Sequence, residues 1–389
     1  MVFGDADDPK WSVSVDRGQT LALIGAAFDR ESLSEEGAES ASPDRLAGLD
    51  DRALLQSAWG SFVAIRRRIG PPYVTILRDP SGALPTLVAD GAGFAVAAPD
   101  LPRWLRDALG IDPAIDMTKL ALALANPLLP THQALLAGVH QLPAGCALDW
   151  DGDKMGKARM LWAEPVALRD PVPDDPGAPG RMRRAVAGCV RALASPHRRL
   201  TLELSGGLDS AIVLGALASA PDPVEVSCVN FAVGHAGGDE RSEARAVADR
   251  WKVRLVEVGA EAQDLCFGDL FAGEQPVEPI LYGLDPILER ASIGVARAFD
   301  TTAIFTGQGG DAVFCNLPTP LVAVDYARAA GWRALVSRIA YDAARRAHCS
   351  IWQVQRLMLR DRLASTRSAP QQLPGMQLGD ATQRYGDAA

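Results

Sequence analysis

At 389 residues the chain is longer than one average domain, and with 48% apolar residues it can bury two cores. A net charge of −9 argues against nucleic acid as the main partner. No apolar run reaches bilayer-spanning length and the N-terminus, Met1 to Lys10, is acidic rather than signal-like, so a cytoplasmic protein with no membrane partner is expected. The six cysteines (Cys146, Cys189, Cys228, Cys266, Cys315, Cys349) contain no C-x-x-C pair and read as reduced core residues. The five histidines lack metal-ligand spacing. Arg66-Arg67-Arg68 and Arg183-Arg184 are not interleaved with aromatics and read as solvated faces.

From Trp11 to about Trp150 short alternating strands are expected. Ser12 to Val15 and Thr20 to Ile24 flank Asp16-Arg17-Gly18-Gln19, a hairpin signal. Similar runs follow at Phe62 to Ile65, Tyr73 to Leu77 and Phe94 to Ala97. Residues 31–45, rich in Ser, Glu and Ala, are expected to form a mobile loop. Helices are expected over Leu101 to Leu109 and Thr118 to Ala125. Residues 1–163 therefore read as a β-rich sandwich with helical cover. In 164–180, Pro165, Pro171, Pro173, Pro176, Pro179 and Gly180 interrupt regular structure and mark a linker.

Over 181–389 the pattern becomes βα alternation. Helix Arg181 to Leu193 precedes strand 200–204, helix 209–219, strand Val224 to Phe231 and helix Asp239 to Arg250. Strand Leu255 to Val258, helix Leu284 to Phe299 and strand Thr302 to Phe305 follow. Such alternation implies a parallel sheet covered on both faces, hence an α/β fold. Tyr326 to Leu363 is Ala/Arg-rich and helical, and the residues from Thr366 are expected to fray.

Two motifs carry the chemistry. Ser205-Gly206-Gly207-Leu208-Asp209-Ser210 lies between a strand and a helix start. Glycines let backbone N–H groups approach an oxyanion, and the helix N-terminus adds positive partial charge. Asp209 at that mouth would oppose phosphate alone, but suits a divalent cation held between carboxylate and phosphates. The Gly-Lys-Ser/Thr ending of a Walker loop is missing. The plainer alternative is a Gly-Gly turn capped by Ser and Asp. The second motif is Thr306-Gly307-Gln308-Gly309-Gly310-Asp311-Ala312-Val313-Phe314, again glycines and an Asp behind a strand. Ligands of open α/β sheets bind at that edge.

SGGLDS resembles the pyrophosphate loop of the ATP-pyrophosphatase superfamily, and TGQGGDAVF resembles the second phosphate-side loop of asparagine synthetases. Gly60-Ser61-Phe62-Val63-Ala64, Leu77-Arg78-Asp79-Pro80-Ser81-Gly82-Ala83-Leu84-Pro85 and Gly138-Val139-His140-Gln141-Leu142-Pro143-Ala144-Gly145 resemble the amidotransferase-type domain of that family. The resemblance spans roughly residues 55 to 330 and is nearest to lasso peptide cyclases. It implies an N-terminal-nucleophile-type sandwich over 1–163 and an ATP-pyrophosphatase (adenine nucleotide α-hydrolase-like) synthetase domain over 181–389. It implies ATP and Mg2+, with Ser205, Gly206, Gly207 and Ser210 on pyrophosphate and Asp209 and Asp311 on magnesium. Thr306 and Gly307 would line the nucleotide near the ribose or α-phosphate. Val229 to Phe231 would flank the adenine, with core packing the plainer alternative.

The expected chemistry is carboxylate adenylation followed by capture with an amine. Val2 stands where glutamine-dependent members carry the nucleophilic Cys, so no glutamine hydrolysis is expected. The family's downstream catalytic Lys is not found after Lys252, the C-terminal part is short, and Gln308 replaces the family Glu. The leading expectation is a lasso peptide macrolactam cyclase acting on a small ribosomal precursor peptide beside a leader peptidase. The alternatives are an asparagine synthase without glutaminase activity and a catalytically impaired nucleotide-binding homologue.

Overall fold

The computed structural model describes residues 13–71, 73–91, 93–125, 134–162, 175–233, 239–260, 286–313 and 319–365. The chain divides into two compact units, Met1–Gln308 and Gly309–Ala389.

The first unit begins with the expected hairpin, β1 (Val13–Val15) antiparallel to β2 (Leu21–Asp29). Asp16 closes the turn. Its carboxylate accepts from the amides of Leu21 at 2.6 Å, Thr20 at 2.7 Å and Gly18 at 3.0 Å. These bonds, Leu21 first, hold its pKa below the usual carboxylate range. Further strands are β3 (Ala58–Arg67), β4 (Val74–Arg78), β5 (Leu87–Gly91), β6 (Phe94–Ala98), β7 (Val139–Gln141), β8 (Cys146–Trp150) and β9 (Arg159–Met160). They form an antiparallel sheet in the order β1-β2-β3-β4-β8-β9 and a smaller one in the order β6-β5-β7.

Alternation sorts the side chains of the larger sheet onto two faces. Leu21, Leu23, Phe62, Ala64, Leu77 and Ala147 pack on one face against α1 (Pro43–Ala47) and α2 (Asp51–Ser57). Val63, Ile76, Cys146 and Leu148 pack on the other against Val88 of β5 and Leu142. The opposite face of the small sheet, Leu87, Ala89 and Val139, meets Leu101, with Leu105 of α3 (Arg103–Leu109) packed beside it. Helix α4 (Met117–Ala125) completes this part. Burying one such leucine is worth about 1.5–3 kcal/mol relative to leaving it exposed.

The Arg78-Asp79-Pro80-Ser81-Gly82 turn clamps the two sheets. Asp79 is completely buried and accepts from the amides of Ser81 at 2.7 Å, Phe62 at 3.2 Å and Gly82 at 3.2 Å, and from the Ser81 hydroxyl. Burial outweighs these bonds and pushes its carboxyl above the ordinary range. Arg78 donates to the carbonyls of Leu142 at 2.6 Å and Gly82 at 2.5 Å.

Two expectations are corrected here. Residues 31–45 are held by hydrogen bonds rather than left loose. Ser32 Oγ accepts from Glu39 N at 2.9 Å, Ser34 N donates to Gly37 O at 2.8 Å, and Ala41 N donates to Ala27 O at 2.8 Å. Arg66-Arg67-Arg68 is a solvated face only in part, because Arg66 is buried. Arg66 is 7% exposed and binds Asp51 at 3.0 Å and the carbonyls of Ala47 and Leu49 at 2.9 Å. Arg68, two residues on and so on the same side, holds both oxygens of Asp51 at 2.9 and 2.8 Å. Arg67 and Arg68 are exposed, as are Arg183 and Arg184.

The expected linker falls largely on 163–174, outside the described residues. Its end is already helical, because α5 runs over Ala178–Ala194. The boundary between compact units does not fall there, since α5 packs on the 31–37 loop. A Cβ on Gly188 would lie 1.9 Å from the Ser34 carbonyl oxygen. Arg191 donates to Glu35 O at 2.5 Å and, by its other nitrogens, to Ala216 O at 2.9 Å and Ser219 Oγ at 3.0 Å.

The remainder of the first unit is β10 (Arg199–Glu203), α6 (Leu208–Ala218), β11 (Glu225–Val233), α7 (Arg241–Trp251), β12 (Arg254–Ala260), α8 (Pro286–Ala298) and β13 (Ile304–Phe305). Its four strands are all parallel, in the order β12-β11-β10-β13. Leu200, Leu202 and Leu204 pack with Val226, Cys228, Leu214, Leu217, Ala244 and Ala248. The chain is thus mixed α/β with a parallel sheet. Cys146, Cys189, Cys228 and Cys349 are free thiols; burial pushes Cys228 up to about 12 and raises Cys146 and Cys189. Cys266 and Cys315 lie outside the described residues.

The second unit holds α9 (Gly310–Val313), α10 (Leu321–Ala330), α11 (Arg338–Arg346) and α12 (Ile351–Ser365). The expected helical tail is interrupted. Gly331 at φ 71 ends α10, a 3-10 turn follows, and Ser337 caps α11 by accepting from Ala340 N at 3.2 Å. Ala323, Ala327, Ala340, Ala343, Val354 and Met358 form its core. Among the described residues no helix is long and apolar enough to cross a membrane.

Candidate functional site

Chain order and strand order together choose the site. From β10 the chain moves outward through α6 to β11 and through α7 to β12, then returns to place β13 on the other side of β10. Strand order therefore reverses between β10 and β13. In open α/β sheets the carboxyl ends of such a pair border a crevice where ligands bind. Ser205 to Asp209 leave β10 at that point, and Thr306 to Gln308 leave β13 beside them.

The first loop is internally braced. Ser205 Oγ accepts from Gly207 N at 3.1 Å and lies 3.0 Å from Ser210 Oγ. Gly207 precedes α6 in extended backbone, φ −79 and ψ 164, and no side chain caps the helix. The amides of the first turn are thus left to an external acceptor. Leu208 is exposed, Ser210 is buried, and Asp209 is half-buried, its carboxylate without a hydrogen bond or ion pair among the described residues. Asn230, 2% exposed on β11, supports the loop from below, its Nδ2 donating to Leu204 O at 2.8 Å. Val229 beside it is fully buried in the core, so of 229–231 only Phe231 retains partial exposure.

The second loop touches the first through Gly307. A Cβ there would lie 2.4 Å from Ser210 N and 2.9 Å from the Asp209 carbonyl carbon. Any larger residue must push the loops apart. Thr306 Oγ1 accepts from Gln308 N at 3.3 Å, and both side chains are exposed. Asp311 is exposed in the first turn of α9, in the second unit.

Sequence reasoning missed the α7 side of the loop. Gly206 N donates to Glu240 Oε2 at 3.0 Å. A Cβ on Gly206 would come within 2.7 Å of Glu240 Cβ and 2.8 Å of Glu243 Cβ, so this glycine is required by the helix packed against it. The only available signal was the acidic pair before a helix start, which reads equally well as ordinary first-turn charge. The nearby arginines are already engaged. Arg241 binds Asp239 at 2.6 Å, lowering the Asp239 pKa to about 2, and Arg245 binds Glu257 at 2.5 Å. Glu203, at the end of β10, accepts from the buried Ser292 hydroxyl at 2.6 Å.

This arrangement presents amides to an anion beside carboxylates. Among the described residues no group of three or more His, Cys, Asp or Glu could hold a metal by itself. The donor chemistry fits a hard divalent cation that takes one or two carboxylates and completes its shell with ligand oxygens and water.

Over 134 residues the chain is 31% identical to the asparagine synthetase [glutamine-hydrolyzing] of Gallus gallus, a match covering 31% of this chain and 22% of that protein. Among solved structures, a glutamine-dependent NAD+ synthetase from Acinetobacter baumannii in complex with ADP aligns at 13% identity and a TM-score of 0.27, covering 79% of this chain and 61% of that one. The asparagine synthase family model matches residues 181–385. Since this span takes in more than half of the chain and both glycine loops, the protein belongs to the asparagine synthase family.

Proposed function

We propose that this protein uses ATP to activate a carboxylate and joins it to an amine, closing a macrolactam in a ribosomally made precursor peptide. The carrying observation is the pair of glycine loops at the switch point, with Gly307 set against the first turn of α6. In this reading Ser205, Gly206, Gly207 and Ser210 hold the pyrophosphate end of ATP, and Thr306 and Gly307 line its ribose and α-phosphate side. A side-chain carboxylate of the peptide attacks the α-phosphorus and pyrophosphate leaves. The peptide's N-terminal amine then attacks the acyl-adenylate, releasing AMP and one proton. The loop amides stabilise charge developing on the departing pyrophosphate. Asp209 would hold a magnesium ion, which when bound supplies Lewis-acid neutralisation of the phosphates. In this reading the antiparallel sheets of 13–162 would be an amidotransferase-like, N-terminal-nucleophile-type domain. A leader peptidase is the expected partner, in the cytoplasm.

AMP release is the test. A precursor peptide with an acidic residue at the ring-closing position should drive it and yield a product lighter by one water. The same peptide with the amide residue should not. Equal AMP release from free aspartate and ammonia would favour an asparagine synthetase. ATP binding without AMP release from either would favour a nucleotide-binding homologue.

A further inference from the structure

The Gly206 amide, one of the donors assigned above to pyrophosphate, already has an anionic partner. Glu240 Oε2 accepts from it at 3.0 Å. The contact is not forced by burial, since Glu240 is exposed and its long side chain has water as an alternative. What brings it there is backbone packing, because the start of α7 lies close enough to Gly206 to exclude any Cβ. The other acids of this turn are otherwise occupied. Asp239 binds Arg241 at 2.6 Å, and Glu243 accepts from Ser242 Oγ at 2.6 Å. Glu240 alone among them reaches into the loop.

We propose that Glu240 is a selectivity residue of the nucleotide site: its carboxylate stands in for a phosphate oxygen at Gly206, so that a bare polyphosphate must displace it. The inference rests on the nucleotide reading given above. A metal-free polyphosphate loses twice, competing for the same amide and meeting the repulsion of Glu240 and Asp209. A polyphosphate carrying a divalent cation brings the positive charge that both carboxylates lack, and the displaced Glu240 turns toward that charge. The site thereby prefers the metal-bound form through a residue that need not itself be a metal ligand.

Calorimetry with inorganic pyrophosphate, with and without Mg2+, tests this on the full chain. Glu240→Ala should tighten metal-free pyrophosphate binding at least about tenfold, the scale of one hydrogen bond to a charged group. It should change Mg-pyrophosphate binding much less, so the preference for the metal form narrows. Glu240→Gln keeps an acceptor without charge and should fall between. Glu243→Gln removes equal charge from the same helical turn without the contact and should shift metal-free binding less than twofold. Unchanged or weaker metal-free binding in Glu240→Ala overturns the proposal while leaving the nucleotide reading intact. So does an equal gain in Glu243→Gln, which would reduce the effect to net charge. If neither wild type nor Glu240→Ala binds pyrophosphate or Mg-ATP at millimolar concentration, both the proposal and the nucleotide reading fall.

Discussion

Two turns of the first unit use similar residues and are bonded in opposite ways. The Asp79 turn follows β4 and the Asp209 loop follows β10; each joins an Asp, a Ser and glycine. In the first, every acceptor is turned inward. Asp79 is completely buried and takes three amides and a hydroxyl, while Arg78 spends two donors on carbonyls. In the second, the carboxylate of Asp209 has no partner among the described residues, and α6 begins without a side-chain cap. A carboxylate whose two oxygens are both filled from within the fold marks a structural clamp. An open one, in a loop braced by its own serines and by Gly307, marks a surface kept ready for a ligand.

The largest expected effect breaks the clamp. Asp79→Ala takes the carboxylate acceptor from the buried Phe62 amide and from the partly buried amides of Ser81 and Gly82, and should cost about 3 kcal/mol of unfolding free energy. Asp209→Ala should stay within about 0.5 kcal/mol of wild type. Urea unfolding of both variants checks this, and comparable losses would erase the contrast.

Next comes the contact between loops. Gly307→Ala should weaken Mg-ATP binding about tenfold, because overpacking of this kind typically costs about 1–3 kcal/mol in displaced backbone. Gly309→Ala, at φ 92 but with open space around its Cβ position, should cost only the backbone strain, about 1 kcal/mol. Titration calorimetry beside thermal melts separates the two, and equal binding losses would show that strain rather than the clash matters.

Asp209→Asn keeps the shape of the loop and removes its charge. It should weaken Mg-ATP binding several-fold and leave metal-free ATP unchanged or slightly tighter. Equal loss with and without metal would remove Asp209 from the metal site.

The smallest effect is a pH dependence. The Asp79 pKa is raised in the fold, chiefly by desolvation. The folded protein therefore binds this proton more tightly than the unfolded chain does. The associated stability is full below the unfolded Asp value, about 3.9, and is lost as pH rises through the raised folded value. The unfolding free energy of wild type relative to Asp79→Asn should thus be greatest near pH 4 and shrink towards neutrality. A difference that grows with pH would contradict the sign.

Much of this contrast could be read from residue order. The βα alternation and both glycine motifs placed the parallel sheet and its loops, because buried parallel strands leave continuous apolar runs and helix mouths carry their own punctuation. The short strands β5, β7 and β8 escaped, since Leu87–Gly91 and Cys146–Trp150 carry little period-2 contrast when both faces are covered. Arg66 and Arg68 looked solvated because their partner, Asp51, lies on a different element. Glu240 was invisible for the same reason: its contact with Gly206 spans 34 residues. Local pattern reveals elements, whereas acids and bases find partners through the fold.

Strand β13 meets β10 at only two positions, Thr201 with Ile304 and Leu202 with Phe305, whereas β11 meets β10 at five and β12 at seven. Ladders this unequal do not open together. Local opening free energies follow the number of protected bonds and buried contacts, so β13 belongs to the first segment of the sheet to separate. Half of the crevice at the switch point therefore hangs on its least protected strand. A ligand spanning both loops acts on that equilibrium directly, slowing deuterium uptake at Ile304 and Phe305 far more than at the centre of the sheet.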